Sequence, residues 1–143
     1  MATTFRFFHD AGLTQEISAA NPLSATQLAD GSLAPTDVQV WFGSPVVSTK
    51  IQATSDPGID AIAIIITDLS VGAGEAASAI SLAMSQLGLD AAVPGDSIDV
   101  GNTVYSGPVN AIQFWARIDP TQTVIGEYTD LGLDFTDCTE SAA

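Results

Sequence analysis

The sequence predicts an all-β chain in which two sheets pack as a sandwich, and three observations carry this prediction. Along residues 110–118, apolar residues alternate with polar or aromatic ones, which is the period of a strand with one buried face. Short segments of this kind recur with turn signals about every 8–12 residues, as in all-β folds. From Ile59 to Thr67, isoleucines fall on both faces, which favours an interior strand with both faces partly covered.

Residues 110–118 are predicted as the central strand. One face presents Ile112, Phe114 and Ile118, and apolar side chains of this size contribute most to a core. The strand should end at Asp119-Pro120, because proline has no N–H to donate to a neighbouring strand.

Other strands are predicted in chain order at 3–8, 15–18, 37–42, 48–53, 59–67, 97–100, 103–105 and 130–135. The turn at 9–12 would join the first two as an N-terminal hairpin. Gly101-Asn102 would join 97–100 to 103–105 as a second hairpin. The strand at 130–135 should carry one acidic face, since Asp130 and Asp134 alternate with leucines.

Residues 71–89 allow two interpretations. Apolar residues at 76, 77, 80, 83 and 87 match a helical stripe, and alanine and leucine favour helix. Ile80, Leu82 and Met84 also alternate with smaller residues, as in a strand. We favour the strand because it agrees with the all-β surroundings.

The chain of 143 residues is predicted to be a single domain, since this is the usual domain size and can bury roughly 68–70% of the unfolded surface. Residues 1–36 would form the N-terminal hairpin and a loop, 37–138 the sandwich core, and 139–143 a short tail. The strand count fits an immunoglobulin-like or jelly-roll sandwich.

Charge excludes several classes of partner. Three Lys and Arg stand against 17 Asp and Glu, a formal net charge of −14. Such a surface repels phosphate backbones and anionic lipid, so we expect neither nucleic-acid nor membrane binding. Solubility is the ordinary role of this charge, with calcium or a basic partner as alternatives. No apolar run reaches the roughly 18 residues of a membrane helix and no signal-peptide pattern opens the chain, so we expect synthesis in the cytoplasm.

Reactive constellations are missing from the sequence. His9 is the only histidine and Cys138 the only cysteine, so a nucleophile–base pair or a thiolate–imidazole metal site has too few members. Asp96 and Asp99 could contribute to a calcium site, although the EF-hand pattern is absent. Paired carboxylates leave a glycosidase as a remote alternative. We therefore predict no enzymatic activity, no cofactor and no metal.

Four side chains are candidates for an interaction surface: Trp41, Trp115, Tyr105 and Arg117. Each tryptophan lies on the strand face opposite the aliphatic residues, and large outward aromatics are often contact residues. The alternative is that loops or the N-terminal segment cover these outer faces. The sequence leaves both alternatives open.

Several segments resemble a small virion-associated protein of tailed bacteriophages and prophages. They are 4–14, 41–44, 53–60, 74–76, 88–90, 107–111 and 115–119. The resemblance covers most of the chain, and in that family the segment after Glu75 is a strand. It implies a non-enzymatic structural part of a phage particle, and it contributes no catalytic residues.

The resulting expectation is a virion protein on the particle exterior, at the tail tip or baseplate. Its partners would be other phage structural proteins, and it would be multimeric in the virion after synthesis in the host cytoplasm. The first alternative is a capsid decoration protein. A further alternative is a glycan- or host-surface-binding module that uses Trp41, Trp115 or Tyr105.

Overall fold

The computed structural model describes residues 3–18, 36–68, 80–118 and 131–143. These residues form an all-β, sandwich-like unit, as the sequence predicts. Its ten strands are β1 (Arg6–Phe8), β2 (Thr36–Gly43), β3 (Thr49–Ala53), β4 (Ala63–Asp68), β5 (Ile80–Ala83), β6 (Ile98–Asp99), β7 (Thr103–Tyr105), β8 (Ile112–Ile118), β9 (Leu131–Phe135) and β10 (Cys138–Ala142). The helical elements within the described ranges are single 3-10 turns at Leu87–Asp90 and Pro108–Asn110.

The first sheet has the strand order β1-β2-β8-β5, and its strands are antiparallel. The central position of β8 confirms the prediction for 110–118. In register, Val40 lies opposite Phe114 and Val38 opposite Ala116. Because directly opposed residues share a face, these pairs point together into the core.

The second layer consists of two three-stranded sheets, β10-β3-β7 and β6-β4-β9. Backbone hydrogen bonds extend the pairing within each sheet up to the points where the chain passes from one sheet to the other. Thr54 N donates to Asp137 O over 2.9 Å, and Val100 N donates to Ile62 O over 2.9 Å. Buried side chains from all three sheets form one hydrophobic cluster, so the three sheets enclose a common core.

Phenylalanines dominate this core. Phe5, Phe42 and Phe114 are fully buried. The ring of Phe42 lies 5.2 Å from that of Phe7 and 4.9 Å from that of Phe135, centroid to centroid. Tilted pairs at this spacing add about 0.5–1.5 kcal/mol beyond area burial. The N-terminal segment is therefore an integral part of the core.

The N-terminal hairpin is present. Phe8 pairs with Glu16, and Ile17 N donates to Phe7 O over 2.8 Å. The Asp10 carboxylate fixes the turn by accepting from Thr14 Oγ1 at 2.6 Å and from Gln15 N at 2.9 Å. These hydrogen bonds, above all the one from Thr14, lower the pKa of Asp10.

The predicted hairpin of 97–100 with 103–105 is wrong. β6 pairs with β4, whereas β7 pairs with β3 in the other sheet. Gly101, with φ of +105°, turns the chain between the two sheets. Ile62 N donates to Gly101 O over 2.8 Å and holds the crossing in place.

The predicted tail at 139–143 is also wrong for residues 139–142. These residues belong to β10, which pairs with β3 from Cys138–Ala53 to Ala142–Thr49. The polar composition of β10 gives no strand pattern in the sequence, since only its first residue is buried. Backbone pairing with β3, rather than burial of side chains, stabilises this strand.

Residues 80–83 form β5, which confirms the strand interpretation for that part of 71–89. The 3-10 turn at Leu87–Asp90 follows, so the strand ends before the last residues of the segment. The N-terminal part of that segment, 71–79, lies outside the described residues, as do the rest of the predicted N-terminal loop, 19–35, and the Asp119-Pro120 stop.

Candidate interaction site

The outer face of the first sheet carries three of the four predicted contact residues. In register, Trp41 lies opposite Gln113, Trp115 opposite Gln39, and Arg117 opposite Asp37. Trp41, Trp115 and Arg117 therefore share one face, which points away from Phe42 and Phe114. The three side chains are half-buried.

Other parts of the chain cover much of this face. Phe8, opposite Trp41, is only 4% exposed, and Leu13 is 3% exposed. A Cβ atom on the outward-facing Gly43 would lie 3.0 Å from Leu13 Cδ1, so the N-terminal turn packs directly on β2. At the other edge, Leu89 of the 3-10 turn is buried. The tryptophans lie between these two covered regions, and their role in intermolecular contact stays a prediction.

Arg117 is engaged within the chain. Its Nε and Nη2 donate to the two oxygens of Asp37 over 2.8 and 3.1 Å, and Nη1 donates to Asp90 over 3.0 Å. The hydrogen bond from Arg117 lowers the pKa of Asp37, and these carboxylates raise the pKa of Arg117. The guanidinium joins β2, β8 and the 3-10 turn, so an external anion would have to displace two carboxylates.

Tyr105 lies away from the other three residues. It is on β7, opposite Lys50. Their neighbours Ile51 and Val104 point into the core, so Tyr105 and Lys50 lie on the outer face of the β10-β3-β7 sheet. Tyr105 is 50% exposed. On the same face, Gln52 Nε2 donates to Thr103 Oγ1 over 3.1 Å.

Two loops that the sequence analysis did not single out expose apolar side chains beside Tyr105. The loop after β2 presents Val46 at 41% and Val47 at 72% exposure, and the loop after β7 presents Val109 at 93%. Gly107 N donates to Ser44 O over 2.8 Å and joins the loops. We call this surface the loop-tip patch; it comprises Pro45, Val46, Val47, Tyr105, Pro108 and Val109.

Buried serines hold both loops of the patch. Ser44 is fully buried, and its Oγ lies 2.7 Å from Thr4 Oγ1 and accepts from Val46 N at 3.2 Å. Ser106 is 6% exposed, and its Oγ accepts from Thr49 N at 2.9 Å. Small hydroxyls satisfy backbone donors in this way where a loop must turn without regular pairing. The loop tips are thus tied to the sandwich on both sides.

Glu140 fastens the N-terminal segment beneath the patch. Its carboxylate accepts from Thr4 N and from Thr4 Oγ1, each over 2.7 Å. Burial acts to raise the pKa of Glu140, but the hydrogen bonds, together with the charge of Arg6, lower it overall. Thr4 therefore links β10 to Ser44 and the first loop.

The thiol of Cys138 is buried and is held in its neutral form. It is 5% exposed, and Sγ donates to Thr136 O over 2.9 Å. Burial raises the pKa of Cys138 to about 11, so the thiol is protonated at neutral pH and is a poor nucleophile. A shallow open pocket of about 390 Å³ lies beside it, lined by Thr3, Arg6 and residues 134–138. No histidine or lysine is among these lining residues.

A signal in the sequence could have pointed to the loop-tip patch. Residues 44–48 read Ser-Pro-Val-Val-Ser and residues 106–110 read Ser-Gly-Pro-Val-Asn. Both loops combine proline and valine and lack any charge, in a chain whose net charge is −14. Loops are usually polar, so two uncharged apolar loops depart from the common pattern.

The described part of the chain contains neither a cluster of metal ligands nor a membrane-spanning helix. Asp96 and Asp99, considered as calcium ligands, are exposed. Across 3–18, 36–68, 80–118 and 131–143, no three His, Cys, Asp or Glu residues are grouped so as to hold a metal ion. None of the helices in these ranges has the length and apolar character to span a membrane.

Comparison with known proteins adds no assignment. No family model matches the chain, and neither the curated proteins nor the solved structures contain a match to it.

Proposed function

We propose that this chain is a non-enzymatic structural component on the exterior of a tailed phage particle, at the tail tip or baseplate. The observation that carries the proposal is a convergence of three segments. Residues 4–14, 41–44 and 107–111, which resemble a virion-associated protein, meet through Thr4, Ser44 and Gly107. Together they build the base of the loop-tip patch.

The charge distribution supports an adhesive role for this end. Acidic residues in the described ranges keep the surface hydrated and repel anionic surfaces, whereas the two loops of the patch carry no charge. Apolar and aromatic side chains without charge are typical of the centre of a protein–protein interface. A rigid sandwich with one such end is suited to docking on a larger assembly.

Immunogold electron microscopy of purified particles tests the proposal. Particles produced by the phage or prophage that encodes the chain would be labelled with antibody against it. Label at the tail tip or baseplate is the expected result. Label on the head would overturn the tail placement and support capsid decoration, since the resemblance covers both locations. The absence of label, with the chain also absent from particle protein, would overturn the virion proposal.

Glycan binding is a second candidate, favoured by the surroundings of Tyr105. This half-exposed ring shares the outer face of the sheet with the Gln52 amide and the Thr103 hydroxyl, and aromatic rings with nearby amides and hydroxyls suit sugars. A glycan array would compare the wild-type chain with Tyr105→Ala. Binding that Tyr105→Ala abolishes would support this candidate, and silence across the array would contradict it.

A further inference from the structure

We propose that the outer face of the β10-β3-β7 sheet binds a sugar residue that bears a single carboxylate. The carboxylate would pair with the ammonium of Lys50, and the sugar ring would lie against Tyr105. This inference rests on the second candidate function, glycan binding at Tyr105, and names the class of sugar. Hexuronic acids and sialic acids both carry the required group.

Lys50 is the only lysine of the chain, and its ammonium has no ion pair or hydrogen bond within the described ranges. The two arginines are engaged, since Arg6 lies 3.9 Å from Glu16 and Arg117 binds two carboxylates. With 17 acidic residues against three Lys and Arg, an unpaired cation is unexpected. The Lys50 ammonium is therefore available to an external anion.

The cross-strand neighbours of Lys50 are uncharged. It lies opposite Tyr105 on β7 and opposite Ser141 on β10, with Thr103 and Thr139 at the diagonal positions. Opposite charges at facing positions stabilise a sheet, and none of these four neighbours supplies one. The sheet thus leaves the positive charge of Lys50 unmatched on this face.

Glu140 lies on the opposite face of the same sheet. It is paired with Ile51, which is fully buried, so the Glu140 side chain leaves the inner face. There its carboxylate accepts two hydrogen bonds from Thr4. A ligand on the outer face therefore meets the Lys50 ammonium rather than the Glu140 carboxylate.

The other outward side chains suit a ligand rich in hydroxyl groups. Tyr105 is 50% exposed, and its ring offers an apolar surface with a polar tip. Gln52 Nε2 donates to Thr103 Oγ1 over 3.1 Å, and its second hydrogen and the amide oxygen can still bond to a ligand. The outward positions of the three strands hold ammonium, amide, hydroxyl and phenol groups: Lys50, Gln52, Thr103, Tyr105, Thr139 and Ser141. These groups match a sugar better than an apolar peptide.

The loop between β3 and β4 fixes the direction of the ligand. A Cβ atom on Gly58 would lie 3.3 Å from Gln52 Nε2, so this loop reaches the outer face beside Gln52. Asp56 and Asp60 belong to the same loop. A carboxylated sugar would therefore place its charge at the Lys50 end and its hydroxyls towards the loop.

The net charge of the chain limits the ligand to one negative charge. A formal charge of −14 repels anions, but exposed charges more than about 8 Å apart are largely screened at physiological ionic strength. A small monoanion in contact with Lys50 gains one pairing, whereas the further charges of a polyanion would face carboxylates. We therefore expect binding of carboxylated sugars and not of heparin or polyphosphate.

An NMR titration of the 143-residue chain tests the proposal with matched glycosides. The acidic probes are methyl glucuronide, methyl galacturonide and a methyl sialoside, and the neutral probes are methyl glucoside and methyl galactoside. We expect amide shifts centred on β3 and β7. At least one acidic probe should bind about fivefold or more tightly than the neutral probes, because a charge-assisted hydrogen bond is the stronger kind. The uronide and sialoside arms distinguish the two sources of the carboxylate.

Variants with equal changes of charge locate the contact. Lys50→Gln should abolish the preference for acidic probes, and Lys50→Arg should retain it. Arg6→Gln is the matched control, since it removes one positive charge outside this face, and it should change the preference by less than about twofold. Circular dichroism with thermal melting would verify folding of each variant. A preference that survives Lys50→Gln, or that Arg6→Gln also removes, would overturn the proposal.

The remaining outcomes separate this inference from glycan binding itself. Equal affinity for neutral and acidic probes would overturn the requirement for a carboxylate and leave glycan binding at Tyr105 intact. Tighter binding of heparin than of any acidic probe would overturn the limit to a single charge. The absence of shifts with every probe would overturn both the inference and the glycan candidate.

Discussion

The outer face of the first sheet and the loop-tip patch both bear large apolar side chains, but they use them differently. On the sheet face, Phe8 and Leu89 are buried, and Arg117 is paired with two carboxylates. In the patch, Val47 and Val109 are exposed, whereas the supporting serines, Ser44 and Ser106, are buried. The large side chains of the sheet face are thus partly covered by other parts of the chain, whereas the uncharged loop tips stay exposed.

A substitution in the core beneath both regions should reduce the free energy of unfolding most. Phe114→Ala removes a fully buried ring and should lower the free energy of unfolding by about 3–5 kcal/mol. Val109→Ala, at the most exposed position of the patch, should change it by less than about 0.5 kcal/mol. Urea unfolding measures both values. Comparable losses would mean that the patch is packed within the chain and would break the comparison.

The Arg117 ion pairs should give the next largest effect. Asp37→Asn weakens a bidentate contact in which the side chains are 26% and 19% exposed, and we expect a loss of about 1–3 kcal/mol. Asp90→Asn affects a partner that is 66% exposed and should cost less than about 1 kcal/mol. Thermal or urea unfolding would rank the two variants. The opposite ranking would show that the 3-10 turn, rather than β2, holds Arg117.

The serine anchors should give a smaller loss of global stability with a local signature. Ser106→Ala removes the acceptor for Thr49 N, and Ser44→Ala removes the acceptor for Val46 N. Each should cost about 1–2 kcal/mol and speed hydrogen exchange at the corresponding amide. Ser55→Ala, which removes an exposed contact with Asp60, is the control. Unchanged exchange at Val46 and Thr49 would contradict a pre-ordered patch.

Protonation of Glu140 at low pH should change the stability of the fold least. The lowered pKa of Glu140 means that its contribution to stability is complete above the ordinary glutamate pKa, about 4.3. That contribution is lost as the pH falls through the lower pKa of the folded state. Glu140→Gln should therefore reduce stability at pH 7 and flatten the decline in stability below about pH 4.3. Parallel pH profiles for the variant and the wild type would show that Thr4 does not depend on this carboxylate.

Local pattern was sufficient to predict strands whose two faces differ. Phe114 and Trp115 identify β8 because alternation reflects burial directly. Isoleucines on both faces identify β4, in which Ile64 is buried and Ile65 is 37% exposed. Local pattern did not predict which strands pair when the partners are distant in sequence. Gly101-Asn102 signals a turn, but the turn signal alone does not decide which strand follows in which sheet. β10 has few apolar side chains, and its backbone pairing with β3 holds it in the sheet.

The loop-tip patch was missed for a related reason. Loops have no periodicity, and the exposure of Val47 and Val109 depends on contacts between residues far apart in sequence. Thr49 and Ser106 are 57 positions apart, and Thr4 and Ser44 are 40 positions apart. Conversely, the alternation that placed Trp41 and Trp115 on an outer face was informative, but it could not reveal the hairpin and the 3-10 turn that cover parts of that face.

A cryo-electron microscopy map of the particle would test the central claim most directly. The account predicts this chain on the exterior of the tail, at its tip or baseplate. A map in which the chain lies on the head, or in which the chain is absent from the particle, would contradict it.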